Sequence, residues 1–71
     1  MEARIREIID NVETMYTPTG DMVQTFSNGA RLMADRRSGV VIMKMGDRVE
    51  KMVPGVTIAE YEKLQAEAAA L

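Results

Sequence analysis

The fold is decided by residues 20–55, which read GDMVQTFSNGARLMADRRSGVVIMKMGDRVEKMVPG. All five glycines of the chain lie in this stretch at intervals of 7 to 10 residues, and neither flank contains one. Glycine is the usual residue where a chain turns through positive φ. Turn signals at this spacing, separated by short β-branched and apolar runs, are typical of an antiparallel meander. The sequence therefore predicts a small sheet in the middle of the chain.

The expected strands cover about residues 21–27, 30–36, 40–45 and 48–53. Asn28-Gly29 is the strongest hairpin signal. With two-residue loops there and at Ser38-Gly39, one apolar face collects Val23, Thr25, Leu32, Ala34, Val41, Met43 and Met45. At Gly46-Asp47 two alternatives stay open. A plain two-residue loop moves Val49 and Val53 to the opposite face, whereas a bulge, which we favour, keeps them with Met43.

Both flanks of the sheet are predicted to be helices. Over residues 2–16 the apolar side chains recur at helical spacing, at Ile5, Ile8, Ile9, Val12, Met15 and Tyr16. Pro18 ends that helix because proline disfavours helical backbone at the preceding residue. Residues 58–71 are rich in helix formers, and Thr57 with Glu60 has the spacing of a capping box. The expected fold class is α+β in one domain, residues 1–71, with an N-terminal helix, a three- to four-stranded meander and a C-terminal helix.

The size of the chain predicts a partner. At 71 residues, a single core rarely supplies more than about 3–5 kcal/mol of stability. The chain has no cysteine and no histidine, which excludes disulfides and thiolate or imidazole metal sites. We therefore expect self-association, with a dimer favoured, or a firmly bound protein partner.

The sequence predicts neither membrane contact nor export. Its start is charged and amphipathic rather than an apolar signal core, and its longest apolar run, residues 40–43, is far too short to cross a bilayer. We expect a soluble, cytoplasmic protein.

Catalysis is not expected from this composition. No histidine or cysteine is present to act as base or nucleophile, and the carboxylates fall on predicted solvent faces. A chain this short also struggles to enclose a pocket of roughly 300 Å³. We predict no enzymatic activity, no catalytic residue, no cofactor and no metal.

A binding surface is expected on the second face of the sheet. Residues 40–45 are apolar on both faces as far as Lys44, whereas a meander with one wet face alternates. The predicted register places the apolar partner contacts at Met22, Phe26, Met33, Val40 and Ile42. Two arrangements stay open: one helix on each face, or both helices on one face with the other left for a partner.

Charge adds candidate contacts and an alternative function. Residues 30–51 carry a net charge of +3, against −3 for residues 1–29 and −2 for residues 52–71. Arg31, Arg36 and Arg37 are the predicted charged contacts, because guanidinium groups pair well with carboxylates. The same basic sheet could instead serve a nucleic-acid-associated accessory protein, although stacking aromatic residues are few.

The function expected from these features is a small intracellular protein-binding module, self-associating, that acts as an inhibitor, adaptor or assembly factor. In size and composition the chain resembles small phage-encoded regulators and inhibitors. A further alternative is a structural subunit that assembles through a helix seam at Tyr61, Leu64, Ala68 and Leu71.

Overall fold

The described part of the chain folds into one antiparallel sheet with a single helix after the last strand. The computed structural model describes residues 5–9 and 11–71. The six strands follow chain order: β1 (Ile5–Ile9), β2 (Val12–Tyr16), β3 (Met22–Thr25), β4 (Ala30–Ala34), β5 (Val40–Met45) and β6 (Arg48–Pro54). The helix is α1 (Ile58–Ala69). The fold is mainly β, so the expectation of two helices and at most four strands is wrong.

The predicted helix over residues 2–16 is replaced by the hairpin of β1 and β2. Residues 2–4 and 10 of that prediction lie outside the described residues. Ile9 pairs with Val12, and Asn11 adopts a φ of 66°, a left-handed conformation that an α-helix excludes. The helix prediction from apolar spacing failed here because the same stretch is rich in isoleucine, valine and threonine, which favour strands.

The β2–β3 and β3–β4 hairpins close through three-residue loops of the same kind. The amide of Gly20 donates to the Thr17 carbonyl at 2.9 Å, and the amide of Gly29 donates to the Phe26 carbonyl at 3.0 Å. Both glycines have a φ of 92°. This left-handed glycine is what a three-residue loop with a bulge requires. Pro18, taken as the end of a helix, therefore lies in a turn between strands.

The second of these loops shifts β3 by one residue from the expected register. Val23 pairs with Met33 and Gln24 pairs with Leu32, whereas the predicted two-residue loop placed Thr25 opposite Leu32. Side chains alternate along a strand, so a one-residue shift moves all of β3 to the opposite face. The predicted apolar face is therefore wrong for Val23 and Thr25.

The β4–β5 register also differs from the expectation, but without changing the faces. Leu32 pairs with Met43 and Ala34 pairs with Val41, two residues away from the predicted pairing. A shift of two residues returns each side chain to its own face. The predicted grouping of these four residues on one face is confirmed.

The last hairpin combines the two alternatives that were left open at Gly46-Asp47. Met45 pairs with Arg48 across a two-residue loop, and a register shift follows between Met43 and Lys44. Val49 consequently lies opposite Lys44, on the other face, while Val53 lies opposite Val41 on the face of Met43. The preferred bulge is thus right for Val53 and wrong for Val49.

One face of the sheet is covered by α1, which packs across β4. We call it the covered face, and the other the open face. Among the residues whose burial is described, the buried side chains are Ala30, Leu32, Val41 and Met43 from the strands, Phe26 from the position after β3, and Leu64 and Ala68 from the helix. Two members of the predicted helix seam are therefore packed inside their own chain.

Both ends of α1 are capped by side chains. The predicted capping box is confirmed: the Glu60 amide donates to Thr57 Oγ1 at 3.2 Å, and the Thr57 amide donates to Glu60 Oε1 at 3.0 Å. At the other end, Asn28 Nδ2 donates to the carbonyls of Ala68 at 2.8 Å and Leu71 at 3.2 Å. The β3–β4 loop thus adds a side-chain donor to the Ala68 carbonyl, which also accepts from the Leu71 amide at 3.3 Å.

Candidate functional site: the open face of the sheet

Five neighbouring strands each place one apolar residue in a line across the open face. The register pairs Met15 with Val23, Val23 with Met33, Met33 with Ile42, and Ile42 with Met52. Directly opposed residues in antiparallel strands have Cβ atoms about 4.5–5.5 Å apart, so these side chains touch their neighbours in turn. We call this strip the apolar row.

The apolar row is accessible to solvent along its length. Met52 at the edge of the sheet is 60% exposed, and Met33 at the centre is 36% exposed. Met15, Val23 and Ile42 are half-buried, although none of them faces α1. A contiguous apolar strip left open on a small domain commonly marks an interaction site.

Two cations lie side by side along one flank of the apolar row. Arg31 pairs directly with Lys44 in the register of β4 and β5, two residues from Met33 and Ile42 respectively. Among the described residues neither cation has an ion-pair partner. Like charges directly opposite each other in a sheet are destabilising. An anion supplied from outside the chain would relieve this cationic pair.

The opposite flank of the apolar row is acidic. Asp21 and Asp35 border a depression of about 170 Å³ whose floor includes Val23, Met33 and Ile42. We call this depression the acidic notch. Its apolar floor and charged rim fit a side chain with an aliphatic stem and a cationic end.

Both aspartates of the acidic notch also hold the loops beside them. The Arg36 amide donates to Asp21 Oδ1 at 3.0 Å, and the Arg37 amide donates to Asp35 Oδ1 at 3.0 Å. The Arg37 amide, followed by the Ser38 hydroxyl, keeps the pKa of the Asp35 carboxyl below its usual range. Asp35 is therefore an anion at neutral pH.

The structure separates the predicted contact residues into two groups. Met33, Val40, Ile42 and Arg31 belong to the open face by their register. Phe26 is only 7% exposed and lies in the core.

Met22 pairs with Ala34 and belongs to the covered face with Phe26. The expectation that these two side chains share a face with Met33 is wrong, because it assumed the shorter loop. Arg36 and Arg37 lie in the β4–β5 loop, beyond the acidic notch.

Sequence reasoning missed Met15, Val23 and Met52 as members of the site. Met15 was assigned to a helix and Val23 to the wrong face. The signal that could have found them is the spacing Thr17–Gly20 and Phe26–Gly29, which marks two loops of equal length. Counting strand positions outward from two equal loops brings Met15, Val23 and Met33 into line.

The covered face holds a polar network that serves the fold. Gln24 Oε1 accepts from the Tyr61 hydroxyl at 2.7 Å and from Gln65 Nε2 at 2.9 Å, while Gln24 Nε2 donates to Thr14 Oγ1 at 3.1 Å. Burial, followed by the nearby Tyr16, raises the pKa of Tyr61 to about 12. Tyr61 is therefore a neutral donor that ties α1 to β3.

Residues 5–9 and 11–71 contain no group of three or more histidine, cysteine, aspartate or glutamate side chains placed to hold a metal ion. Within the same residues, no helix is long and apolar enough to cross a membrane. Comparison of the chain with protein-family models, with curated proteins and with solved structures found no match.

Proposed function

We propose that this chain is a small protein-binding module that acts by occupying a surface on another macromolecule, with the open face as its contact surface. The observation that carries the proposal is the apolar row, which runs unbroken across five of the six strands. An inhibitor, an adaptor or an assembly factor would each use such a surface.

The composition of the open face supports protein binding. Three of the five residues of the apolar row are methionines, whose flexible side chains adapt to a partner surface. The cationic pair and the acidic notch flank that row on opposite sides. Charges at the rim of an apolar contact mainly select and orient the partner.

The nucleic-acid alternative has weaker support. The chain has three aromatic residues, Tyr16, Phe26 and Tyr61. Phe26 and Tyr61 pack in the core region, and Tyr16 pairs with Met22 of the covered face. The open face thus offers no aromatic side chain for base stacking, and its carboxylates would repel phosphates.

The test compares two glutamate substitutions at exposed apolar positions. Met33→Glu places a charge in the apolar row, whereas Ile58→Glu places one on α1, where Ile58 is 83% exposed. Each variant, with the unmodified chain, is used to capture partners from extracts of the native host, after circular dichroism has shown that it is folded. We expect Met33→Glu to lose a partner that Ile58→Glu retains. Equal capture by the two variants would contradict the proposal.

Methyl NMR of the methionines locates the contact without any mutation. Met15, Met33 and Met52 report on the apolar row, and Met22, Met43 and Met45 report on the covered face. In the complex, a dissolved paramagnetic probe should lose access to the first three methyl groups and keep its access to the others unchanged. Loss of access confined to the second group would place the contact elsewhere.

A further inference from the structure

We propose that the partner seated on the open face is a second copy of this chain, related to the first by a two-fold axis that runs along the apolar row. The inference rests on the proposed function and adds to it the identity and orientation of the partner. The distribution of charge about the row and the area of the face both support it.

The main charge pattern runs along β4 and into Asp35, the residue that follows it. Arg31, Met33 and Asp35 occupy alternate positions and so point to the same side, in the order cation, apolar, anion. Alternate residues of a strand lie about 6.8 Å apart, which places the two charges at roughly equal distances on either side of the row. Asp21 extends the acidic end, and Lys44 extends the basic end.

A two-fold interface requires one patch that is complementary to itself. An axis along the apolar row lays β4 of one copy over β4 of the other with the direction reversed. Arg31 of each copy then lies over Asp35 of the other, and the rows coincide. An axis at right angles to the row would instead place Arg31 over Arg31. The charges therefore select a single two-fold arrangement.

The spacing of packed sheets suits these contacts. Face-to-face sheets lie about 10 Å apart with their strands nearly aligned, a gap that one arginine and one aspartate side chain can span together. The aliphatic stem of Arg31 from one copy would cross the apolar floor of the acidic notch of the other copy. Its guanidinium would then reach Asp35 and Asp21 of that other copy. This contact supplies an anion to Arg31, which has no ion-pair partner among the described residues of its own chain.

The area of the open face is sufficient for a specific dimer. Six strands at about 4.8 Å spacing and roughly 17 Å in length present about 500 Å² per copy, or about 1,000 Å² for both. Specific interfaces bury at least about 1,000 Å². Pairing would also bury the open face, so that each sheet would be covered on both sides. This adds buried apolar area to a chain near the lower size limit for a domain that folds alone.

The test uses two variants that reverse or neutralise one flank each. The first is Arg31→Glu with Lys44→Glu. The second is Asp21→Asn with Asp35→Asn, in which the amide oxygens still accept the backbone hydrogen bonds from Arg36 and Arg37. By sedimentation velocity we expect a dimer for the unmodified chain and self-association weaker by roughly tenfold or more for each variant. A mixture of the two variants should form the heterodimer in preference to either homodimer.

The matched control is Lys51→Glu with Lys63→Glu, which changes the net charge as much as the first variant does. Both lysines lie on the helix side of the sheet, around the depression between β6 and α1. The control should dimerise like the unmodified chain. The proposal is overturned if the unmodified chain stays monomeric, if the first variant behaves like the control, or if the mixture gives no heterodimer.

The methionine methyl groups separate failure of this inference from failure of the proposed function. If Met15, Met33 and Met52 are shielded by a different protein while the chain does not pair with itself, the proposed function stands and the two-fold dimer falls. If the chain dimerises while those three methyl groups remain accessible, the dimer uses another surface and the two-fold arrangement again falls. If no partner shields them, both proposals fall.

Discussion

The covered and open faces are built from the same strands and are both rich in apolar side chains, yet they differ in burial. Leu32 is fully buried at 0% exposure, and Met33, the next residue, is 36% exposed. The difference comes from α1, which packs on the side of Leu32 with Leu64 and Ala68. Hydrophobicity alone does not make a core, because a side chain enters the core only when another element covers its face.

The largest expected contrast between the faces comes from truncating these two neighbours. Leu32→Ala should lower the free energy of unfolding by about 2–5 kcal/mol, because it leaves a cavity under α1. Met33→Ala should lower the stability of the monomer by less than about 1 kcal/mol, since its side chain has no cover to lose. Urea denaturation of dilute protein measures both. Equal losses would show that the open face is also packed within the monomer.

A second contrast uses the polar network of the covered face. Gln24→Ala removes the acceptor of the Tyr61 hydroxyl and of the Gln65 amide, and we expect a loss of about 1–3 kcal/mol because a half-buried donor is left without its partner. Thr25→Ala, on the open face of the same strand, is the control and should change stability much less. Thermal unfolding of the two variants measures both losses of stability. If both cost the same, the network does not hold α1 on the sheet.

The assignment of residues to the two faces depends on the β3–β4 loop, and Gly29 tests it. Gly29→Ala forces a Cβ into a φ of 92°, and we expect a loss of about 1–2 kcal/mol. Gly29→Asn should cost less, because asparagine tolerates left-handed backbone better than alanine does. Chemical denaturation gives both values. A Gly29→Ala variant as stable as the unmodified chain would mean that the loop does not require this conformation.

The smallest expected effect is that of Tyr61→Phe, and it depends on pH. At neutral pH we expect a loss of about 0.5–1.5 kcal/mol for the hydrogen bond to Gln24. The pKa of Tyr61 rises from 10.0 to about 12 on folding, so between those values the unfolded chain has lost a proton that the folded chain keeps. The unmodified chain should therefore lose stability as the pH rises from 10 towards 12.

The phenylalanine variant lacks this titration, so the stability difference between the two proteins should shrink over the same interval. Denaturation curves of both proteins at about pH 8, 10 and 12 would measure this difference in the free energy of unfolding. These pH values lie below, at and above the start of the titration. A constant difference would show that the hydroxyl of Tyr61 ionises equally in the folded and unfolded chains.

Local signals in the sequence predicted the elements that depend on a few adjacent residues. The start of α1 follows from Thr57 and Glu60, which satisfy each other's backbone amides without help from the rest of the chain. The end of α1 does not follow in this way. It is capped by Asn28, which lies 40 residues before Ala68 and reaches it through the fold.

The N-terminal hairpin shows where local signals compete. The spacing of Ile5, Ile8 and Val12 fits a helix, and the β-branched composition fits a strand. The edge of β3 resolves the conflict, since β2 pairs along it from Glu13 to Tyr16. A helix in this segment would leave the backbone groups of β3 without partners on that side.

The candidate site was predicted in part for the same reason. The shared face of Met33 and Ile42 was predicted correctly, because β4 and β5 kept their faces under an even shift of register. The prediction placed Val23 on the wrong face because the β3–β4 loop holds three residues instead of the expected two. Whether Met33 and its neighbours bind a partner stays a prediction for the experiments described above.

The amino-acid order alone thus settled where the chain turns between residues 20 and 55, since all five glycines adopt positive φ, a conformation that depends on the residue and its immediate neighbours. It also settled where the helix begins. The assembled fold settled which side of the sheet becomes core, because a single extra loop residue reverses the face of a whole strand and one helix can cover only one side. The apolar row is what remains on the other side.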